Sequence, residues 1–301
     1  MRWAVAGHGD VVRSRVLPAL RALGEEPVYL WGRDAGRAAR AAAEHGVPAG
    51  GDDPGRLTAA DAVYVATPVA GHVPVALHAL RAGCHVLVET PLAGALGGGG
   101  ALAAEAAGAG LRAGVAYHRR LGPAAGRLRE ALAAGAPARV QVTFCAPFDP
   151  APDHPAHWRT DPAAAGGGVL ADAGSHRLDL LLSVLGPPVR VGARFGRRFA
   201  AGAERRAHVT LGWDSGTSAE CRFAWAGGAG RDRLDVTAGG RFLTLDPLDA
   251  DPGPGPHVEL IADFAAAVRD GRDPACPVAD AVLVDDVITS ACWAARLRND
   301  P

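Results

Sequence analysis

The chain has 301 residues, enough for two hydrophobic cores, since single domains run to ~100–200 residues. Apolar residues make up 49% and charged residues 21%, and a formal net charge of −1 excludes the basic field that nucleic acid or an anionic membrane surface would need. No run is long and apolar enough to span a bilayer, and the start, Met1-Arg2-Trp3-Ala4-Val5-Ala6-Gly7, reads as a short strand rather than a secretory leader. The five cysteines (Cys84, Cys145, Cys221, Cys276 and Cys292) are scattered and lack a C-x-x-C pair, so they read as reduced thiols of a cytoplasmic protein. All 31 basic residues are arginine. Without a single lysine, every mechanism that needs an ε-amine is excluded.

Up to residue 118, short apolar runs alternate with helical stretches. Trp3–Ala6, Val28–Trp31, Ala62–Ala66, His85–Val88 and Arg112–Ala116 predict strands. Between them, Val12–Leu23, Gly36–His45, Val73–Ala82 and Ala101–Ala109 carry apolar residues at helical spacing. This alternation means βαβ units on a doubly wound parallel sheet, an α/β domain over residues 1–118. Residues 119–301 follow another pattern. A helix (Ala124–Ala134), a strand through Val140, Val142 and Phe144, and a second helix (Val169–Leu185) precede five strand candidates with little helix between them. These are Val189–Phe199, Ala207–Trp213, Thr217–Trp225, Arg233–Thr237 and Phe242–Leu245, with turns at Asp214-Ser215-Gly216 and Gly239-Gly240. The expectation is an α+β domain with a mostly antiparallel, open-faced sheet. The Pro/Gly-rich stretch Asp246–Pro256 reads as a loop, and helices at Val258–Asp270 and Ala279–Leu297 finish the chain.

Gly7-His8-Gly9-Asp10-Val11-Val12 sits directly after the first strand and opens the first helix. In that context Gly7 permits a tight turn, and Gly9 lets a pyrophosphate approach the backbone at a helix N-terminus, which predicts dinucleotide binding. Val12 replaces the third glycine of the fingerprint and should hold strand and helix slightly further apart. At the end of the second strand an acid would bind a ribose 2′-hydroxyl, whereas an arginine accommodates a 2′-phosphate. Here the strand ends Leu30-Trp31-Gly32-Arg33-Asp34, with no carboxylate before Arg33 and with Arg37 one turn on. That favours NADP(H), with NAD as the other possibility and a solvated Arg33 as the plain alternative.

Longer motifs follow. Thr67-Pro68 with His72 precedes Ala79-Leu80-Arg81-Ala82-Gly83-Cys84-His85-Val86-Leu87-Val88-Glu89; later come Trp158-Arg159, the run Gly166–His176 with Asp179, and Phe264–Gly271. In these the chain resembles the glucose–fructose oxidoreductase and inositol dehydrogenase (Gfo/Idh/MocA) family almost end to end. The resemblance implies an NAD(P)-dependent oxidoreductase acting on a sugar, cyclitol or related carbonyl or imine metabolite, with Thr67, Pro68, His72, Glu89, Thr90 and Pro91 at the cofactor. It also implies homo-oligomers, dimers or tetramers, formed through the open face of the second-domain sheet. Family members usually carry Glu-Lys-Pro after the fourth strand, with the lysine beside the nicotinamide and the reacting oxygen. Here the triplet is Glu89-Thr90-Pro91, and a threonine hydroxyl cannot serve as a general acid near neutral pH.

Asp172, His176 and Asp179 fall at i, i+4 and i+7, on one face of the second-domain helix. From spacing alone a structural hydrogen bond is the stronger reading of His176; the resemblance turns it into a general acid/base assisted by Asp172. Tyr117 and His118, followed by two arginines where the family has asparagine before them, read as contacts to substrate or nicotinamide, with simple hinge packing as the alternative. Trp158 reads as a stacking wall for a sugar ring or equally as an ordinary buried tryptophan, and Arg159 beside it is expected at the substrate. No metal is expected: His154 and His157 lie close in sequence, but Pro155 breaks any helix that would align them. The missing lysine also supports a second function class, a protein that binds the nucleotide without redox turnover, as a sensor, an assembly partner, or a lyase or hydrolase that retains it.

Overall fold

The opening Arg-Trp-Ala-Val-Ala run forms strand β1 (Arg2–Ala6) in the computed structural model, which describes residues 1–133, 135–227, 229–246 and 255–297. Chain contacts divide into two units. The first takes Met1–Ala93, Gly98–Leu121 and Asp251–Val282; the second takes Gly94–Gly97, Gly122–Ala250 and Leu283–Pro301.

In the first unit β1, β2 (Glu26–Trp31), β3 (Gly50–Gly51), β4 (Ala62–Val65), β5 (His85–Val88) and β6 (Ala113–Val115) form one parallel sheet in the order β3-β2-β1-β4-β5-β6. The order reverses between β1 and β4, which makes the carboxyl ends of those strands the crevice where open α/β sheets bind ligands. Helices supply the crossovers: α1 (Leu17–Ala22, entered through a π-helical turn at Val12–Val16), α2 (Ala35–Glu44), α3 (His72–Arg81) and α4 (Gly99–Ala109). Helix-covered strands are buried on both faces and read as unbroken apolar runs, which is why β1, β4 and β5 are legible in sequence. Strand β3 is not: two glycines carry no strand propensity, and only pairing with Leu30 and Trp31 of β2 makes them a strand.

In the second unit α5 (Pro123–Leu132) leads to β7 (Arg139–Ala146). A short α6 (Pro162–Ala165) precedes a second π-helical turn at Leu170–Gly174, which runs into α7 (Ser175–Leu185). Strands β8 (Arg190–Arg198), β9 (Glu204–Gly212), β10 (Ser218–Trp225), β11 (Arg231–Ala238) and β12 (Arg241–Leu245) complete a sheet of order β12-β11-β7-β10-β9-β8. It is antiparallel except where β7 and β10 pair in parallel. Alternating burial along β9 and β10 shows one covered face and one open face. Gly174 lies where a Cβ would stand 3.2 Å from the Phe223 ring of β10, so the expected interruption of this helix is a close approach rather than a break.

The closing helices depart from a division at residue 118. Helix α8 (Gly255–Asp270) belongs to the first unit, and α9 (Val278–Leu297) begins there and continues in the second. Glu25 explains the return of α8: its carboxylate takes the N-terminal ammonium at 2.8 Å, the Trp3 indole N–H at 3.0 Å and the Arg269 guanidinium at 3.2 Å. Burial alone would raise the Glu25 carboxyl, but these donors outweigh it and hold it below its ordinary range. Phe264 packs its ring 5.7 Å from that of Trp3. The loop expected at Asp246–Pro256 lies largely outside the described residues.

In the second unit the Arg177 side chain of α7, 3% exposed, donates through Nε to Asp232 Oδ1 (2.8 Å) and through Nη1 to the Ala173 carbonyl (2.6 Å), and its guanidinium lies 4.1 Å from the Phe144 ring centroid. Removing one partner of such a pair strands a buried charge. Asp232→Ala is therefore expected to destabilise this unit by about 3–5 kcal/mol, read by urea unfolding. A loss within the range of neutral surface substitutions would show that the pair does not dock α7 on the sheet.

Candidate active site

Gly7 adopts φ +116°, and a Cβ there would stand 2.3 Å from the Ala66 carbonyl oxygen, so no other residue fits the turn. A Cβ on Gly9 would meet nothing within 4 Å, which leaves the backbone before the helix open. Asp10 and Gly9 are exposed and Val11 half-buried. Val12 is fully buried inside the π-helical turn, whose wider winding accommodates a side chain where the fingerprint has glycine. Gly32 lies against the same turn: its Cβ would stand 2.6 Å from the His8 ring, which would have to turn aside. These features fit a dinucleotide turn.

Beyond β2, Arg33, Arg37 and Arg40 are all exposed. Asp34, the one carboxylate among them, caps α2 by accepting the Arg37 N–H at 2.9 Å. That hydrogen bond, with the arginines around it, lowers the Asp34 carboxyl. Thus the acid completes a helix end while the guanidinium groups stay available.

The turns after β4 and β5 are coupled by His72, and here a sequence reading changes. Expected to touch cofactor, the His72 ring is 1% exposed and lies between the Pro91 carbonyl (Nδ1, 2.9 Å) and the Thr67 carbonyl (Nε2, 2.8 Å). The buried ring lies against both carbonyls and donates to one of them in its neutral form, which ties the Thr67-Pro68 turn to the Thr90-Pro91 turn. Pro68 is exposed and Thr67 and Thr90 are half-buried beside it, and the Thr90–Pro91 bond is cis.

Glu89 likewise turns inward. Its Oε1 accepts the Tyr64 hydroxyl at 2.7 Å and faces His257 Nε2 at 3.5 Å, and its Oε2 meets the Thr90 N–H at 3.3 Å. Burial works to raise this carboxyl, but the pairing with His257, the Tyr64 hydroxyl and the Thr90 N–H win and hold it at about 2. The same carboxylate, with burial, pushes the Tyr64 hydroxyl well up, so it remains a donor. Tyr117, expected as a ligand contact, is 1% exposed and belongs to the interior. His118 is half-buried, with its ring centroid 5.7 Å from that of His257. His257 and Tyr64 are the partners that sequence reading missed. His257 opens a helix some 170 residues after Glu89 in sequence, and no spacing rule connects them.

In the second unit the structure brings Trp158, Arg159 and Asp172 together. The Arg159 guanidinium lies 5.6 Å from the Trp158 ring centroid and 3.7 Å from Asp172 Oδ2. His176 is half-buried one turn after Asp172, whereas Asp179, placed on the same face by spacing, is fully buried. The π-helical turn at Leu170–Gly174 shifts the angular register, so i, i+4, i+7 no longer describes one stripe. A cavity of about 300 Å³ in this unit, lined by Phe195, Arg198, Glu204 and Cys292 among others, contains none of the predicted residues. Among the described residues there is no cluster of three His, Cys, Asp or Glu side chains able to hold a metal, and no helix long and apolar enough to cross a membrane.

Because the folded Glu89 carboxyl lies below the ordinary 4.5, at about 2, its ionised form stabilises the fold fully above about pH 4.5, and that contribution is lost as pH falls towards 2. Glu89→Gln is expected to lower stability at neutral pH and to flatten the acid limb over that window, measured by circular dichroism melts. An identical acid limb in parent and variant would show that Glu89 is not held ionised by the fold.

Comparison with known proteins bears on both units. A family model described as "Oxidoreductase family, NAD-binding Rossmann fold" matches residues 1–117, and one described as "GFO/IDH/MocA C-terminal domain" matches residues 124–239. A dTDP-3,4-didehydro-2,6-dideoxy-alpha-D-glucose 3-reductase of Streptomyces antibioticus is 32% identical over 99% of this chain and 98% of its own length. The 1,5-anhydro-D-fructose reductase of Ensifer adhaerens is 35% identical, but the match spans 61% of this chain and only 56% of that relative. The solved structure of a UDP-N-acetylglucosamine 3-dehydrogenase from Acidithiobacillus ferrooxidans superposes with a TM-score of 0.83 at 25% identity, covering 99% of this chain and 98% of that one. A dinucleotide turn on a parallel sheet, followed by a mostly antiparallel sheet matching the second family model, makes this chain a member of the Gfo/Idh/MocA family of nicotinamide-dependent oxidoreductases.

Proposed function

We propose that the chain transfers hydride between NADP(H) and a small sugar-like metabolite, at a carbinol, carbonyl or imine carbon. The observation that carries the cofactor choice is the end of β2: Asp34 is committed to capping α2, and Arg33 and Arg37 stand exposed beside it. A 2′-phosphate would meet guanidinium groups there, with no carboxylate before Arg33 to repel it. The relatives named above act on nucleotide-linked or free sugars, which supports the substrate class. Bound nicotinamide supplies the hydride donor or acceptor.

The chain's own residues then have separate tasks. Gly7, Gly9, Asp10 and Val11 hold the pyrophosphate side, and Gly32, Arg33 and Arg37 the adenosine ribose. The turns carrying Thr67, Pro68, Thr90 and Pro91, fixed by His72 and Glu89, shape the sheet edge. On the second unit, Trp158 and Arg159 flank the substrate and His176 moves the proton at the reacting oxygen or nitrogen. Asp172, paired with Arg159 at 3.7 Å, orients this group rather than carrying the proton itself. An assembly of two or four copies through the open face of the second sheet belongs to the same reading.

Thr90, at the position where the resemblance leads one to expect lysine, favours the second reading, in which the nucleotide is bound without turnover. A panel of keto-sugars and nitrogen-containing acceptors, read at the nicotinamide absorbance band, separates the two. Turnover with any member supports the redox reading, and a nucleotide that co-purifies and never changes redox state overturns it.

In binding titrations NADPH is expected to bind at least about tenfold more tightly than NADH, and Arg33→Ala combined with Arg37→Ala should abolish the difference, since each charge-assisted hydrogen bond contributes about 1.5–3 kcal/mol. Equal affinities in the parent protein would sink the NADP assignment. His176→Ala is expected to lower kcat by about 10²–10⁴ while coenzyme affinity stays as in the parent. Full turnover in that variant would move the proton step to another group.

A further inference from the structure

His257, in the first turn of α8, is 6% exposed, and its Nε2 faces the Glu89 carboxylate while Nδ1 has no hydrogen-bond partner among the described residues. A buried imidazole set against a buried carboxylate asks for a reason. Its neighbours supply one. Glu89 Oε1 stands 3.5 Å from Nε2, and the His118 ring centroid lies 5.7 Å away with the planes 32° apart. Glu89 directly follows β5, and His118 follows β6 by three residues, so the two imidazoles stand at the carboxyl edge of the parallel sheet, where ligands of such sheets bind. The titratable and charged groups on the elements packed against His257 and its helix are Glu89, Tyr64 behind it, His118, Arg119 and Arg120 in the turn after β6, and Arg13, Arg15 and Arg21 in the π-helical turn and helix after β1. On its own helix Glu259 and Asp263 follow, and Asp263 is engaged by Arg272 at 2.8 Å.

We propose that His257 is a positioning residue for the redox reaction: as an imidazolium seated on Glu89, it supplies positive charge at this sheet edge and acts through His118 on the substrate oxygen. The proposal rests on the hydride-transfer reading given under Proposed function. In the oxidising direction the substrate loses its O–H proton to a general base and its C–H hydride to the oxidised coenzyme. His257 keeps its own proton throughout and favours the oxygen as negative charge develops on it. In reduction both transfers reverse. In a chain with no lysine, this places a titratable cation beside the Glu89-Thr90-Pro91 turn, one that a neutral threonine cannot replace.

The test compares the parent with His257→Gln, which keeps a polar side chain and removes the titration. First, proton NMR of the ligand-free protein follows the His118 ring against pH. The His118 titration is expected to change in the variant, because a neighbouring charge has been removed. Second, NADPH fluorescence titrations are expected to give unchanged coenzyme affinity. Third, the pH profile of kcat/KM is expected to lose one ionisation and fall by about tenfold near neutral pH, a modest share of what one stabilising group contributes in such sites. Thr90→Lys added to His257→Gln should recover part of that loss, which a purely structural helix contact would not allow. If His257→Gln fails to fold, Glu89→Gln serves instead, and the same ionisation should then move to lower pH. An unchanged His118 titration, or a pH profile of unchanged shape, overturns the proposal. If no substrate turns over at all, the hydride-transfer reading fails, and the NMR titration still decides whether His257 and His118 are electrostatically coupled.

Discussion

A hypothetical Cβ on Gly7 would stand 2.3 Å from the carbonyl oxygen of Ala66, and the rest of the first unit is arranged around that crossing. The Gly7 N–H is already spent on the Trp31 carbonyl at 2.8 Å, and the Ala66 N–H on the Ala6 carbonyl at 2.7 Å. Three strand ends therefore meet with no space between them, at the point where the strand order reverses. The chain can leave β1 only through a turn that glycine permits, and that turn delivers it to the start of a helix. Gly32 lies beside the same turn, where a side chain would displace the His8 ring. A dinucleotide turn is thus a consequence of packing before it is a binding device.

Next to that crossing, polar groups hold loops that apolar packing could not. His72 reaches two backbone carbonyls from inside the sheet edge, and the Glu89 carboxylate collects Tyr64, His257 and the Thr90 N–H. Loops at strand ends carry backbone groups that no ladder satisfies, and buried side chains can satisfy them at fixed geometry. Such networks act in an all-or-nothing way: complete, they fix the positions of Thr67, Pro68, Thr90 and Pro91; broken, they leave a buried charge. His72 and Glu89, both expected at the cofactor from sequence motifs, form this inner support.

The second unit solves a different problem, docking a helix on a sheet with one open face. Leu178, Leu181 and Leu182 of α7 are buried, and Arg177 adds a directional anchor to Asp232 of β11. The π-helical turn before α7 lets the helix start displaced from its ideal line, with Gly174 against Phe223 and Glu204 accepting the Leu170 N–H at 3.1 Å. Burial raises the Glu204 carboxyl above its usual range, against the backbone N–H groups that it accepts from. In consequence, Asp172 and His176 remain at the surface of the helix while Asp179 goes inside.

Sequence by itself determined the order of strands and helices, the glycine turn and the arginines beyond β2. Each of these is a local property, set by apolar period, by the steric allowance of glycine or by residue type at a strand end. It also carried the family resemblance, because the motifs around Glu89 and His176 are contiguous. Only the tertiary structure decided the return of α8 to the first unit, through Glu25 and Arg269, and with it the placement of His257 against Glu89. It likewise decided that His72 and Tyr117 are interior and that Asp179 leaves the helix face. These outcomes depend on contacts between residues far apart in the chain and on one non-α turn, and neither leaves a period or a spacing for a linear reading to find.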